Sequence, residues 1–275
     1  MMKRFLTLIL CAAMIATMFC IVPVSVSAGD SDIGEVPGSY APEGTAITTA
    51  EEFAAMTAGG KYYLANDITI TATWNAGAER PAAAAAATAF AGTLDGNGKT
   101  ITTSVALFVN ITGSTVKNLT VAGDIAAVDD SRAAIGCYAK GEVNFENVCN
   151  NANVLGGKAA GALIGYGATG TVLTIKNCVN NGSVTGSSQV GGLAGYIQDD
   201  VVVIENCENN GVVTSTASYG GGIIGRFGRD AADADSTITV KNCVNNGAVN
   251  TKGAQTGGII GYGLGIITIE DCTNY

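Results

Sequence analysis

The chain has 275 residues, 47% of them hydrophobic, with only 13% charged, 6% aromatic, 38 glycines and no histidine. The lack of His excludes Ser-His-Asp and Cys-His nucleophilic chemistry, HExxH zinc sites and a charge switch near neutral pH. A formal net charge of −9 argues against nucleic acid or an anionic membrane as partner.

Residues 1–28 read as an export signal. Lys3 and Arg4 precede an apolar run from Phe5 to Val24, and Val26-Ser27-Ala28 has the small-residue pattern of a cleavage site. An uncleaved anchor is the alternative, because the run is nearly long enough to span a bilayer. The Ser-rich end terminating in Ala favours cleavage after Ala28. Thr17-Met18-Phe19 lacks the small residues that would make Cys20 a lipoprotein cysteine. Cleavage leaves 247 residues, with 12 basic and 23 acidic side chains and six cysteines. No later segment has the unbroken apolar length of a membrane span, so the chain is expected to be secreted or held at the cell surface. Residues 29–45 (GDSDIGEVPGSYAPEGT) form an acidic, Gly- and Pro-rich stretch without period, expected to be a flexible leader.

Residues 46–113 are expected to hold an N-terminal cap and the first coils of the repeat. Thr49-Ala50-Glu51-Glu52 has capping-box spacing, which predicts a short helix from Glu51 to Met56, ended by Gly59-Gly60. Lys61 to Trp74 alternates apolar residues with Thr and Asp, as strands do. Residues 80–89 are Ala-rich, and the pattern allows either a helix or a loop. Asp95-Gly96-Asn97-Gly98 predicts a tight turn between two extended pieces, with Asp95 as a turn residue rather than a ligand.

From 114 to 275 the chain repeats itself. The clearest copies are TVLTIKNCVNNGSVTGSSQVGGLAGY (171–196) and STITVKNCVNNGAVNTKGAQTGGIIGY (236–262), with VVVIENCENNGVVTSTASYGGGIIGR (201–226) between them. A worn copy, EVNFENVCNNANVLGGKAAGALIGY, precedes them, and the last stops at Tyr275, as a fragment or a longer chain would. Alignment on Asn118, Asn147, Asn177, Asn206, Asn242 and Asp271 gives steps of 29, 30, 29, 36 and 29 residues. Alignment on Gly136, Gly165, Gly195, Gly225 and Gly261 gives 29, 30, 30 and 36. Both registers place an insertion between Arg226 and Ser236. Each copy carries three extended pieces, such as Thr171–Lys176, Ser183–Thr185 and Val190–Ile197, separated by turns. Such a copy cannot bury its apolar face alone, whereas stacked copies can. The expected fold is therefore all-β: a single-stranded, right-handed parallel β-helix of about 29-residue, three-strand coils with a short helix/strand cap. Six coils at ~4.8 Å each span about 30 Å.

Stacking turns equivalent residues into columns. Val116, Phe145, Ile175, Ile204, Val240 and Ile269 form an interior one. The residue after each, Lys117, Glu146, Lys176, Glu205, Lys241 and Glu270, alternates in sign without exception. In-register stacking would place each Lys between Glu residues, and a slip would set like charges side by side. Asn150-Asn151, Asn180-Asn181, Asn209-Asn210 and Asn245-Asn246 would satisfy turn amides from coil to coil. Cys178, Cys207, Cys243 and Cys272 form a further column. Export permits disulfides, but parallel Cβ vectors do not give the disulfide torsion, so buried free thiols are favoured. The close paired spacing of a four-ligand zinc site is missing.

GGLAGY (191–196), GGIIGR (221–226), GGIIGY (257–262) and the departing GALIGY (161–166) resemble the GLUG motif, and FAGTLDGNGKTI (90–101) resembles segments found with it. Arg132-Ala133 stands in place of the glycine pair in the first coil. The resemblance covers roughly residues 90–275. It implies exported bacterial surface proteins, including adhesin-like proteins and some IgA-specific peptidases, in which the repeat forms a right-handed β-helix and is not catalytic.

Few side chains remain for chemistry. Asp129-Asp130, Asp199 and Asp200, then Asp230, Asp233 and Asp235, are expected in the turn after the third strand. Asp199, Asp200, Asp230, Asp233 and Asp235 are the candidate metal ligands, with Ca²⁺ the only cofactor implied. As acid and base they would instead make a polysaccharide hydrolase or lyase; a solvated acidic turn is the plainer reading. Tyr166, Tyr196 and Tyr262 share a column in which Arg226 replaces Tyr, with Arg229 close by. Exposed, these side chains would stack on sugars or pack a partner; buried, they would be core, and the sequence leaves both open. The function expected is a non-catalytic exported surface or adhesion-type module for a host or cell-wall glycan or a surface protein. A secreted carbohydrate-active enzyme, or the repeat region of a larger surface peptidase, is the alternative.

Overall fold

A computed structural model describes residues 41–75, 89–126, 131–198, 200–229 and 235–275. The export segment 1–28, most of the leader and nearly all of the Ala-rich stretch lie outside the described residues, as do Asp129 and Asp130. The chain pairs from Thr45 onward, where the strand Thr45–Ile47 opens the first sheet. Thr49 caps the helix Ala50–Ala54, its hydroxyl accepting the Glu52 N–H at 3.3 Å. The Glu52 carboxylate reaches back one residue further than a capping box requires. It accepts the Thr48 N–H at 2.6 Å and the Thr48 hydroxyl at 2.7 Å. The hydroxyl bond and then the backbone bond hold its carboxyl below the ordinary carboxylate range. The helix is shorter than the expected 51–56 because the chain turns inward at Met56, which is buried and whose carbonyl accepts Trp74 Nε1 at 3.0 Å.

Beyond the cap the chain winds as a parallel β-solenoid whose coils recur about every 29 residues. Its strands form a 12-stranded sheet, an eight-stranded sheet and two five-stranded sheets. Paired residues in the second sheet are 33, 20, 29, 30, 29, 36 and 29 positions apart, giving seven steps along the axis. The 20-residue step is short because the third and fourth sheets begin only with Asp124–Ile125 and Ser131–Arg132. The 36-residue step carries the insertion where the repeat predicted it, between Ile224–Phe227 and Thr237–Lys241.

One coil shows the path. From Thr171 to Lys176 the chain lies in the first sheet, then Val179–Asn180 in the second and Val184–Gly186 in the third. Gln189–Gly191 lies in the fourth sheet and Ala194–Ile197 back in the first. The glycine motif therefore contains two strands and a bend, where the sequence suggested one strand from Val190 to Ile197. Its glycines permit that bend. A Cβ on Gly191 would collide with the Ala194 carbonyl, and one on Gly192 with the Gly222 carbonyl and the Asn209 amide. The corner after each charged residue is turned by Asn118, Asn147, Asn177, Asn206, Asn242 and Asp271, all at φ between 50° and 55°. Asn and Asp tolerate this left-handed conformation better than other residues with a Cβ.

The first-coil alignment on Gly136 is off by one. Gly136 pairs with Ile164 and Tyr138 with Tyr166, so Cys137 occupies the place of Gly165.

A single core runs the length of the solenoid, from Ile47 to Cys243. Val116, Phe145, Ile175, Ile204 and Val240 are fully buried, and Leu94 extends their column by one coil. At the N-terminal end Phe53, Trp74, Phe90 and Phe108 close this core, with Phe90 and Phe108 stacked at 4.5 Å. These rings cover the apolar end of the core that the first coil would otherwise expose.

Candidate functional site

The recurring polar residues are absorbed by coil-to-coil bonding. At the corner, Nδ2 of Asn147, Asn177, Asn206 and Asn242 donates to Oδ1 of the preceding corner Asn, at 3.0 to 3.3 Å. This ladder begins on Asp95, which accepts Asn118 Nδ2 at 3.1 Å and the Asn97 N–H at 2.8 Å. A buried ladder runs the other way: Nδ2 of Asn150, Asn180, Asn209 and Asn245 donates to Oδ1 of the next coil at 2.7 to 2.8 Å. A third, exposed ladder joins Asn151, Asn181, Asn210 and Asn246.

The thiols of Cys178, Cys207, Cys243 and Cys272 are free, as expected. Each donates to the carbonyl two residues back, Lys176, Glu205, Lys241 or Glu270, at 3.1 to 3.2 Å. Burial raises the pKa of Cys207 well above the ordinary thiol value. The thiol contact with Cys207, then burial, raises that of Cys243. These are protonated packing groups rather than nucleophiles.

A polar groove of about 260 Å³ opens at the N-terminal end of the first sheet, lined by Glu43, Lys61, Thr93, Asp95, Thr115 and Lys117. Its charges pair internally, Lys61 with Glu43 at 3.3 Å and Lys117 with Asp95 at 3.5 Å. It is the start of the charge column.

The aromatic column is different. Tyr138, Tyr166, Tyr196, Arg226 and Tyr262 stand in register on the first sheet. Tyr138 and Tyr166 contact at 5.9 Å and Tyr166 and Tyr196 at 5.4 Å, both edge to face. None of these rings belongs to the main core; Tyr138 nucleates a small separate cluster with Ala106 and Cys137, against which Tyr166 packs. Tyr138 and Tyr196 are buried, whereas Tyr166, Arg226 and Tyr262 are partly exposed. The two readings left open by the sequence are thus both met in part: the rings bury one another and leave a strip of edges at the surface.

Arg226 is enclosed by three rings. Its guanidinium carbon lies 4.8 Å from the centroid of Tyr196, 5.1 Å from that of Tyr219 and 5.5 Å from that of Tyr262. Nε donates to the Gly228 carbonyl at 3.1 Å and Nη2 to the Arg229 carbonyl at 2.6 Å. Arg229 itself is exposed. Sequence reasoning missed two members of the strip. Tyr138 was displaced by the one-residue error at Gly136. Tyr219 lies outside the column, in the turn before the fourth-sheet strand Gly220–Gly221, and its contacts with Arg226 and with the Tyr262 ring at 5.2 Å bring it in.

Of the candidate metal ligands, Asp199, Asp230 and Asp233 lie outside the described residues. Asp200 begins the strand Asp200–Glu205 and pairs with Thr171, and Asp235 is exposed just before Thr237, which pairs with Val201. Both therefore lie at the start of neighbouring first-sheet strands. Among the described residues no three His, Cys, Asp or Glu side chains converge in a way that would hold a metal ion. Nor is any helix of those residues long and apolar enough to cross a membrane.

No family model matches this chain, and no curated protein does. A solved structure that resembles it is that of a candidate immunoglobulin A1 protease from Bacteroides ovatus. The two are 22% identical, with a TM-score of 0.65, over 85% of this chain and 77% of the other. At that identity the likeness shows the β-solenoid fold alone.

Proposed function

We propose that this chain is a non-catalytic, exported surface module of the GLUG-repeat type, whose solenoid presents the tyrosine–arginine strip to a host or cell-wall glycan or to a surface protein. The observation that carries the reading is the strip itself, a register-stacked run of rings outside the main core in which Tyr166 and Tyr262 are partly exposed. Aromatic rings with a polar tip stack on sugars and pack well at interfaces. The other recurring polar residues have structural partners: the asparagines bond one another, and the column charges pair across coils. The name of the Bacteroides ovatus neighbour supports a second reading, in which the same module is the repeat region of a surface peptidase whose chemistry lies elsewhere.

Binding of the purified protein to soluble and insoluble polysaccharides and to host surface proteins tests this, with Tyr166→Ala and Tyr262→Ala as variants. The expected result is saturable binding that both substitutions weaken by about tenfold, in line with the value of stacked rings. Unchanged binding in both variants would remove the strip from the function. Release of reducing ends or unsaturated sugars, lost on Asp199→Ala or Asp230→Ala, would replace the module with a carbohydrate-active enzyme.

A further inference from the structure

We propose that Arg226, with Tyr196, Tyr219 and Tyr262 around it, is the specificity subsite of the strip and takes the carboxylate of an acidic saccharide, a uronate- or sialate-type residue. This rests on the glycan reading above and names the class of sugar.

The column explains why the site is here. From Tyr138 onward every other described position along it is occupied by a ring that is apolar in body, and Arg226 is its single cation. Its fork is held before any ligand arrives. Nε and Nη2 are tied to the Gly228 and Arg229 carbonyls, and rings of three tyrosines lie within 5.5 Å of the guanidinium carbon. A planar guanidinium has five N–H donors, so two bonds to carbonyls orient it and leave others for a bidentate acceptor. Ring walls lower the dielectric beside the cation and strengthen a charge-assisted bond to it.

A second, independent observation concerns Tyr219. Its backbone is left-handed, at φ 57°, and every other non-glycine residue with positive φ in the described chain is Asn or Asp. A bulky aromatic there is a genuine outlier. The solenoid does not demand it. By continuation of the register from Val190↔Gly220 and Gly220↔Thr256, the equivalent positions are Gln189 and Gln255, and neither is left-handed. The turn before Gln255 is as long as that before Tyr219, since Ser215 pairs with Thr251 and Gly220 with Thr256. What the left-handed backbone achieves is to bring the Tyr219 ring against Arg226 and Tyr262. Strain kept at one copy of a repeat, where its neighbours have none, points to a role for that side chain. A ladder of one ring per coil suits a ligand that itself repeats an apolar ring face, which favours a saccharide over an acidic peptide.

Calorimetric titration of the full chain with oligogalacturonate, its methyl ester and poly-glutamate tests the proposal, using wild type, Arg226→Gln, Arg226→Lys and Tyr219→Gly. The acid is expected to bind about tenfold or more tightly than its ester, the size of one charge-assisted bidentate contact. Arg226→Gln should lower the acid's affinity to that of the ester, and Arg226→Lys should recover only part of the difference, because Lys lacks the fork. Tyr219→Gly should weaken acid binding while leaving the melting temperature equal or higher, since glycine relieves the left-handed backbone. Equal binding of acid and ester, or an Arg226→Gln variant that keeps the preference, would overturn the subsite. So would a Tyr219→Gly variant that melts lower, which would make the ring a packing residue only. Binding of poly-glutamate without either saccharide would overturn the ligand class. Binding of no probe, with other glycans and proteins also negative, would overturn the underlying module reading instead.

Discussion

Lys176 Nζ lies 3.0 Å from Glu205 Oε2, one coil further along the solenoid. Lys241 meets Glu270 in the same way at 3.3 Å, and Lys117 meets Asp95 at 3.5 Å. The register joins all of them into one column that alternates Asp95, Lys117, Glu146, Lys176, Glu205, Lys241 and Glu270. Asp95 adds a seventh member to the six that alternate in the repeat. The side chains of Lys176 and Glu205 are 46% and 32% exposed, so the pair contributes only a few tenths of a kcal/mol. The column acts on register: skipping one coil sets the two flanking like charges side by side.

A column behaves differently from an isolated pair, and charge reversal exposes the difference. Lys176→Glu places three carboxylates in succession and should destabilise by about 0.5–1 kcal/mol at low salt, less at high salt. Reversing the pair, Lys176→Glu with Glu205→Lys, restores that contact but creates two like-charge contacts outside it. The new carboxylate then faces Glu146, and the new ammonium group faces Lys241. The double variant should therefore remain less stable than wild type. Denaturant titration at two ionic strengths reads both effects; full recovery in the double variant would show that the pair acts alone.

The buried Asn ladder should matter far more than the exposed one. Asn180 accepts Asn150 Nδ2 at 2.8 Å and donates to the Gly182 carbonyl at 2.9 Å and to Asn209 Oδ1 at 2.7 Å. Asn180→Ala strands buried partners on both neighbouring coils and should cost about 2–4 kcal/mol. Asn181→Ala, on the exposed ladder, should cost less than about 1 kcal/mol because water replaces the lost bonds. Equal midpoints for the two variants would contradict this.

The second glycine of the motif packs on that same ladder. A Cβ at Gly192 would press on the Gly222 carbonyl and the Asn209 amide, and one at Gly222 on the Gly258 carbonyl and the Asn245 amide. Gly192→Ala should destabilise by about 1–3 kcal/mol through overpacking. Thermal unfolding checks it; a neutral Gly192→Ala would mean that the motif glycine serves something other than close packing.

The thiol column sets a limit at alkaline pH. The folded-state values of Cys207, Cys243 and Cys272 are all raised above the ordinary 9.0, burial being the leading cause for Cys207 and Cys272. The unfolded chain thus loses these protons first. The stability they contribute is complete below about pH 9 and is lost as pH rises beyond it. The melting temperature should fall above about pH 9. In the native protein a thiol reagent should label the partly exposed Cys272 before the buried Cys207. Simultaneous rapid labelling would show that the column opens readily.

Much of this was legible because a stacked repeat writes its contacts as periodicity. Ile175 and Ile204 are 29 residues apart in sequence and adjacent in the first sheet. The insertion between Arg226 and Ser236, the free thiols and the charge column follow from the same spacing. The division of the glycine motif was not legible, since a bend through Gly192 and Leu193 and a continuous strand give the same residue pattern. Tyr138 was hidden by a glycine that matched the motif one place early. Tyr219 was hidden because its contact with Arg226 depends on a left-handed backbone, which no local pattern around a tyrosine announces.

The sequence by itself determined the coil: its length, its inward and outward residues and its partners above and below, because stacking forces equivalent positions into contact. Only the tertiary structure decided what happens across a coil. The packing of the glycine-motif bend on the Asn ladder, the mutual burial of the tyrosines and the enclosure of Arg226 join different positions of the coil. Such contacts depend on how sharply each corner bends, which is settled by backbone angles and close approach rather than by residue order.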